Sequence, residues 1–228
     1  MNMGVDGIYL TSKKFDKSNL LNVLKNSINT ISESNKQYLN KIINNFENDD
    51  FSLITPQQID FLERNSKSKW TDYLIFRYKF KNFPKEYVDH EIPTHLIIEP
   101  VSACNLRCIM CYQIDESFTD NKEFMGKMSL NLFKKIIDDA HAIGVKAITL
   151  TGRGEPTLHP QLGEMLEYCS GKFYELKMNT NATLLNEKLI HKILKSGIND
   201  IVFSVDSHEK KQYESIRIRG IFEHVLKN

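Results

Sequence analysis

Three of the four cysteines lie close together in the sequence and carry its clearest chemical signal. Cys104, Cys108 and Cys111 form a Cys-x3-Cys-x2-Cys run. Soft thiolate ligands bind zinc, copper(I) or iron–sulfur clusters, and clustered cysteines in a chain of this size are more often metal ligands or catalytic thiols than disulfides. The fourth cysteine, Cys169, lies in an apolar helical pattern, where a small buried side chain is expected. The run of three therefore predicts a metal centre.

The residues alone leave two kinds of metal centre open. A structural zinc site needs a fourth ligand, which His95 or His159 could supply from elsewhere in the chain. Alternatively, the three cysteines hold three corners of a cubane iron–sulfur cluster and leave the fourth iron open to a small molecule. Cysteines at positions i, i+4 and i+7 would also share one face of a helix, but cysteine is too uncommon for three to be routine there.

From Thr94 onward, short apolar runs alternate with segments of helical periodicity. The apolar runs predict strands at His95–Glu99, Val145–Thr151, Tyr174–Met178 and Ile201–Val205. Helices are expected between them, the first beginning near Ser129 and ending before Gly144. This alternation predicts a parallel sheet with right-handed crossovers, which places its chemistry at the carboxyl ends of the strands. The polar segments 104–111, 152–155, 179–181 and 204–206 follow the four predicted strands in turn.

The preceding part of the chain has a different pattern, which predicts a mostly helical region over residues 1–92 and an α/β domain over residues 93–228. Leu20, Leu24 and Ile28 recur at helical intervals. Thr55 and Pro56 combine an N-cap residue with a proline at the first helical position, which predicts the start of a third helix. For the aromatic stretch 70–83 we favour a helix whose apolar face packs on the next domain over a base-stacking platform.

The four polar segments together resemble the motifs of the radical S-adenosylmethionine (radical SAM) family. The cysteine run has the spacing of the family signature, which follows the first strand. Thr151-Gly152-Arg153-Gly154-Glu155-Pro156 resembles the family's glycine–glutamate–proline segment after the second strand. Asn179-Thr180-Asn181-Ala182 is similar to its Thr-Asn-Gly stretch, and Phe203-Ser204-Val205-Asp206-Ser207 to its Ser-x-Asp segment. The motifs occur in the family's order, each after its own predicted strand.

The resemblance implies a fold, two cofactors and roles for particular residues. The fold is α/β, a partial parallel (β/α)6 barrel of which this chain carries about four βα units. The cofactors are a 4Fe–4S cluster, with Cys104, Cys108 and Cys111 as its ligands, and S-adenosylmethionine. The methionine end of S-adenosylmethionine would meet Gly152, Gly154 and Glu155, while its ribose and carboxylate would meet Asn179, Asn181, Ser204 and Asp206. Arg153, Arg217 or Arg219 could pair with that carboxylate.

The resemblance also implies an activity and partners. A reduced cluster passes one electron to S-adenosylmethionine, and the resulting 5′-deoxyadenosyl radical abstracts a hydrogen atom from a substrate, here taken as a peptide or protein. An electron donor such as flavodoxin or ferredoxin is the expected partner. Two alternatives compete with this hypothesis: a non-catalytic metal-binding or interaction module with zinc on the three cysteines, and a fragment that holds the cluster without turnover.

The sequence departs from the family pattern at three places. Met110 stands where an aromatic residue is usual, and Ala182 stands in place of the usual glycine. The chain also stops after the fourth βα unit, which leads us to expect a fragment of a longer protein. Its N-terminal helices loosely resemble those of the branch that carries a C-terminal SPASM domain with auxiliary clusters, and no such domain is expected here.

Composition excludes other classes. Lys and Arg number 30 against 29 Asp and Glu, a formal net charge of +1, which argues against a nucleic-acid partner. The longest apolar runs, such as 96–98, fall far short of the roughly 20 residues that cross a bilayer, so no membrane helix is expected. The N-terminus lacks a basic start followed by an apolar stretch, so a cytoplasmic location is expected.

Overall fold

A computed structural model describes residues 15–87 and 92–228. The chain divides into two compact units, Met1–Asp89 and His90–Asn228. The first unit is helical over its described residues, and the second combines a parallel sheet with helices. The α/β class predicted for the second part of the chain is thereby confirmed.

Within residues 15–87 the first unit contains four α-helices, α1 (Lys17–Ser27), α2 (Glu33–Glu47), α3 (Pro56–Arg64) and α4 (Trp70–Glu86). The capping box of Thr55 and Gln58 begins α3, as the sequence predicted. The aromatic stretch forms α4, so the choice of helix over strand is confirmed.

The described aromatic contacts of α4 lie within the first unit. Tyr73 stacks on Phe61 of α3 with ring centroids 3.6 Å apart, and Tyr78 and Phe83 both contact Tyr38 of α2. The indole N–H of Trp70 donates to the Leu62 carbonyl at 2.9 Å. The apolar face of α4 therefore contributes to the core of its own helical unit, where the other helices supply apolar partners. Its packing on the next domain stays a prediction.

The second unit has four parallel strands in the order β1-β2-β3-β4. They are β1 (His95–Ile98), β2 (Ala147–Leu150), β3 (Glu175–Thr180) and β4 (Asp200–Phe203). The helices are α5 (Glu116–Thr119), α6 (Leu130–Ile143), α7 (Leu162–Cys169), α8 (Glu187–Lys195), α9 (Lys210–Ile216) and α10 (Phe222–Lys227). Gly144 ends α6 in the left-handed conformation, with φ 93°. The predicted βα alternation is thus present through four strands.

The ends of β3 and β4 differ from the predicted ends, because hydrogen bonding between neighbouring strands determines where each strand stops. β3 continues to Thr180 because Asn179 and Thr180 pair with Val202 and Phe203 of β4. β4 ends at Phe203, one residue before Ser204. Periodicity along one segment does not contain this register, which depends on the neighbouring strand.

One face of the sheet forms the main core of the second unit. Ile148, Leu150 and Met178 are fully buried there, together with Phe133 and Ile137 from α6. The opposite face is more polar. On that face Lys177 pairs with Asp200 at 3.3 Å, and Ile97 remains 65% exposed. The sheet therefore has one face sealed by helices and a second face that is accessible at β1, β3 and β4 but buried at Ala147 and Thr149 of β2.

Within residues 15–87 and 92–228, no helix has both the length and the apolar character needed to cross a membrane.

The core assignment can be tested with two matched truncations. Leu166 on α7 is fully buried, whereas Leu194 on α8 is 68% exposed. Because truncating a buried leucine removes apolar contacts and leaves a cavity, Leu166→Ala is expected to lower the free energy of unfolding by about 2–5 kcal/mol. The exposed Leu194→Ala should cost less than about 1 kcal/mol. Urea unfolding followed by circular dichroism measures both, and equal losses would contradict the assignment.

Candidate metal and cofactor site

The cysteine run lies in the loop that follows β1, and a distant segment holds this loop in place. The amides of Arg107 and Ile109 donate to the carbonyls of Ile218 and Ile216 at 2.9 and 3.0 Å. The side chain of Leu106 is only 1% exposed and anchors the loop between the first two cysteines. The end of α9 and the residues that follow it therefore fix the path of the loop.

The three cysteines are free thiols in different degrees of exposure. Cys108 is buried, while Cys104 and Cys111 are partly buried. Burial raises the pKa of the Cys104 thiol, the Leu106 amide opposes this, and negative charge on Glu155 and the other two cysteines adds to it. A cation or cationic cluster would favour the thiolate forms that bind metal.

Cys169 does not belong to this group. It ends α7 at 1% exposure within the main core, and burial raises the pKa of its thiol to about 12. The expectation of a small buried hydrophobic side chain is therefore confirmed.

Neither histidine considered as a fourth zinc ligand is available for that role. His159 uses both ring nitrogens, one with the Met128 carbonyl at 2.9 Å and one with the Gln161 amide at 3.2 Å. His95 bonds Thr149 Oγ1 at 2.8 Å, at the start of β1 and away from the cysteine loop. Throughout the described part of the chain, no three His, Cys, Asp or Glu side chains surround a point where a single metal ion could be held. A zinc site needs four ligands around one ion, whereas cluster thiolates each bind a different iron.

Glu155 connects the loops that follow β1, β2 and β3. Its carboxylate is 3% exposed and accepts hydrogen bonds from the Thr180 hydroxyl at 2.6 Å and the Asn181 amide at 2.7 Å. It also accepts from the amide and hydroxyl of Thr157 at 3.1 and 2.7 Å. The Glu155 amide donates to the Ala103 carbonyl, next to the first cysteine, at 2.9 Å. Three of these four hydrogen bonds end on Oε1 and one on Oε2, so the carboxylate connects the loops around the cysteines.

The two glycines of this motif allow close packing between loops. A β-carbon at Gly154 would overlap the carbonyl oxygens of Val101 and Ala103, and one at Gly152 would lie 2.6 Å from the Glu99 carboxylate. Both positions therefore need glycine, because the loop after β2 packs closely against residues 99–103, which lead from β1 to the first cysteine.

The β3 loop lies against the first cysteine. Asn181 is 4% exposed, and its side-chain N–H donates to Asn105 Oδ1 at 3.0 Å and lies 3.9 Å from the Cys104 sulfur. Ala182, which replaces the usual glycine, has a left-handed φ of 63°. This backbone conformation costs an alanine free energy that glycine avoids, which explains why glycine suits the position.

Two buried acceptors at the site have no partner within the described residues. One is the side-chain oxygen of Asn179 on β3, and the other is the side-chain oxygen of Gln113. Gln113 follows the last cysteine by two residues and is 1% exposed. Its amide nitrogen donates to the carbonyls of Ser102 and Arg153, each at 2.7 Å. Because both partners are acceptors, they fix the amide orientation and leave the oxygen free for a donor.

Sequence reasoning missed Gln113, because a glutamine in a polar loop is common and carries no local signal of function. Burial and its unpartnered oxygen identify it only in the folded chain.

The β4 loop contributes an ion pair beside the second cysteine. Asp206 pairs with the Arg217 guanidinium, which also donates to the Cys108 sulfur at 3.4 Å. Ser204 binds the Thr180 carbonyl through its backbone amide at 2.8 Å.

The remaining arginines considered for a carboxylate have other surroundings. Arg153 pairs with Glu99 at 2.7 Å and lies over the Phe118 ring. Arg219 is exposed. Of the three arginines, Arg217 is therefore the one the structure brings to a cysteine.

This arrangement fits an iron–sulfur cluster with a small polar molecule beside it. The donor set is three soft thiols, which suits iron in a cluster. N–H groups from the β3 loop and from Arg217 reach two of the sulfurs, and hydrogen bonds of this kind are found around protein-bound clusters. The two unpartnered acceptors would accept hydrogen bonds from an ammonium or hydroxyl group.

Comparison with known proteins decides the family. The model of the Radical SAM superfamily matches residues 98–228, more than half of the chain. The chain belongs to the radical SAM superfamily. Enzymes of this superfamily use a 4Fe–4S cluster and S-adenosylmethionine, so the two cofactors expected from the sequence are those of its family.

The alignments with individual relatives cover only part of each relative's length. The tungsten-containing aldehyde ferredoxin oxidoreductase cofactor-modifying protein of Pyrococcus furiosus is 35% identical over 113 residues, covering 49% of this chain and 30% of that protein. The subtilosin biosynthesis protein AlbA of Bacillus subtilis is 32% identical over 139 residues, covering 60% and 30%. Streptococcus suis SuiB bound to precursor peptide SuiA shares the fold, with TM-score 0.51 and 21% identity over 72% of this chain and 35% of that chain. The chain spans about a third of each of these proteins.

The organising role of Glu155 predicts a stability loss without any cofactor. In Glu155→Gln, an amide N–H₂ group replaces one acceptor oxygen and faces donors such as the Asn181 amide. We expect the free energy of unfolding to fall by about 1–3 kcal/mol, because buried donors lose their acceptor. Glu123→Gln, at an exposed position, is the control. Urea unfolding compares the two variants, and an unchanged Glu155→Gln would contradict this role.

The close approach at Gly154 predicts that one added methyl group disturbs the cysteine loop. Gly154→Ala should lower the free energy of unfolding by about 1–3 kcal/mol, since the backbone of residues 101–103 must move to make room. It should also speed the labelling of the cysteine-loop thiols by a thiol reagent. Gly126→Ala is the matched control, because a β-carbon there meets nothing within 4 Å. Equal labelling rates in the two variants would argue against the expected displacement.

Proposed function

We propose that this chain forms the cluster- and S-adenosylmethionine-binding part of a radical SAM enzyme. The observation that carries the proposal is the meeting of three strand-end loops at the cysteines. The Glu155 amide binds Ala103, Asn181 approaches the Cys104 sulfur, and Arg217 donates to the Cys108 sulfur. A loop that only ligated a structural metal would have no need of these groups.

The residues divide into ligands and supports. Cys104, Cys108 and Cys111 would each hold one iron and leave the fourth open. When bound, a reduced cluster and S-adenosylmethionine supply a 5′-deoxyadenosyl radical for hydrogen abstraction. Glu155 holds the loops around this site through its buried carboxylate. Neighbouring residues would make the direct contacts with the cofactors.

The polar groups around the cysteines suggest how the second cofactor is oriented. The backbone of Gly152 and Gly154 would face the methionine end, and the free oxygens of Gln113 and Asn179 would accept hydrogen bonds from its ammonium or from ribose hydroxyls. Asn181 and Ser204 lie on the β3 and β4 loops beside the same edge. Asp206 would act through Arg217, the group to which its carboxylate is bound.

For the substrate we propose a peptide or protein. AlbA is named for the biosynthesis of a bacteriocin, and the structure of SuiB contains a precursor peptide. The accessible sheet face carries the Lys177–Asp200 pair, which offers both charges to a polar chain. A cytoplasmic location and an electron donor of the flavodoxin or ferredoxin class complete the proposal.

Metal analysis of anaerobically purified protein tests the cluster. Wild-type protein and Cys169→Ala should each hold about four iron and four sulfide ions per chain, because Cys169 is a core residue. Replacing Cys104, Cys108 or Cys111 by alanine should remove most of this content. Stoichiometric zinc in place of iron would overturn the proposal in favour of a zinc module.

Cofactor cleavage tests the enzymology separately. With dithionite and S-adenosylmethionine, the reconstituted chain should release 5′-deoxyadenosine, detected by chromatography. Cys108→Ala provides the blank for cleavage that does not depend on the cluster. A chain that holds the cluster but releases no more product than this blank would support the hypothesis of a fragment without turnover.

A further inference from the structure

Arg217 lies at the end of a charged chain that runs from the β4 loop to a cysteine of the signature. Its guanidinium pairs with the Asp206 carboxylate and donates from Nη1 to the Cys108 sulfur at 3.4 Å. The Arg217 side chain is 16% exposed and that of Asp206 is 33% exposed. Cys108 itself is buried. The contact is therefore largely shielded from water, where a charge-assisted hydrogen bond is stronger than at an open surface.

The backbone on both sides of Arg217 is tied to the cysteine loop. The carbonyl of Ile216 accepts from the Ile109 amide, and the carbonyl of Ile218 accepts from the Arg107 amide. These two amides belong to the residues immediately before and after Cys108. These backbone hydrogen bonds place Arg217 beside Cys108 independently of the side-chain contact. The fold therefore determines the position of Arg217.

The properties of arginine suit such a position. The guanidinium stays protonated at any physiological pH, and its several N–H groups allow it to donate to a carboxylate and a sulfur together. Asp206 compensates the charge and orients the group, so that one N–H remains for the sulfur. A lysine would keep the charge but lose this fixed geometry.

We propose that Arg217 is a positioning residue for the iron–sulfur cluster, which raises the reduction potential by donating a hydrogen bond to the sulfur of Cys108. This inference rests on the proposed function. Adding one electron to a bound 4Fe–4S cluster increases the negative charge on its sulfurs, and an N–H donor with a positive charge stabilises that state. The electron comes from an external donor such as dithionite, and Arg217 neither forms nor breaks a bond.

The test compares cluster potentials in the reconstituted 228-residue chain. In Arg217→Met, the ratio of reduced to oxidised cluster at a fixed applied potential should fall about tenfold, equivalent to a shift of about 59 mV for one electron. Arg217→Lys keeps the charge and should recover part of this loss. Lys211→Met removes an exposed positive charge from α9 and is the matched control, with a ratio close to wild type. Redox titration followed by electron paramagnetic resonance measures all four proteins.

The outcomes separate this inference from the function on which it rests. A wild-type chain without an iron–sulfur cluster contradicts the proposed function itself. A wild-type cluster whose potential is the same in Arg217→Met overturns only the role of Arg217, as does an equal shift in Lys211→Met, which would indicate a general charge effect. If Arg217→Met does not retain the cluster, Arg217→Gln replaces it. Because Gln keeps an N–H donor but loses the positive charge, we expect the ratio to fall by less than tenfold, and a wild-type ratio would overturn the role of the charge-assisted hydrogen bond.

Discussion

The buried carboxylate of Glu155 is the interaction on which the site depends. Four donors from Thr157, Thr180 and Asn181 satisfy it, while its amide reaches Ala103 in the cysteine loop. Burying an unpaired charge is costly, and multiple hydrogen bonds to the charged form offset that cost. The carboxylate is satisfied only when the loops after β1, β2 and β3 pack together. In this packing the three loops lie around the cysteines.

A second constraint comes from the end of α9 and the residues that follow it. Through the carbonyls of Ile216 and Ile218, this segment holds the cysteine loop at Ile109 and Arg107. The loop is thus held by contacts from residues far apart in the sequence. A loop anchored in this way loses less conformational freedom when it binds a cluster, since folding has already restricted it. The proposed cluster site is in this sense preorganised by the fold.

The glycines show how one residue type can serve different ends. Glycine has no β-carbon, so it lets backbone groups approach a bound ligand closely. In the structure, Gly152 and Gly154 are required by Glu99 and by the carbonyls of Val101 and Ala103. The two reasons are compatible. The packing of the β2 loop against residues 99–103 also determines the direction of the carbonyl groups of that loop. The contacts within the chain are the ones that the structure demonstrates.

The sequence by itself determined the cysteine spacing, the order of the βα units and the segments that follow each strand. These features are local, since covalent spacing and periodicity within one segment express them. Only the tertiary structure decided that Glu155 binds Thr180 and Asn181, that Gln113 has a free buried oxygen, and that Arg217 reaches Cys108. These contacts join residues that are distant along the chain, and the register between β3 and β4 and the packing of the loops establish them. No local pattern contains that information, because each contact depends on where the rest of the chain has folded.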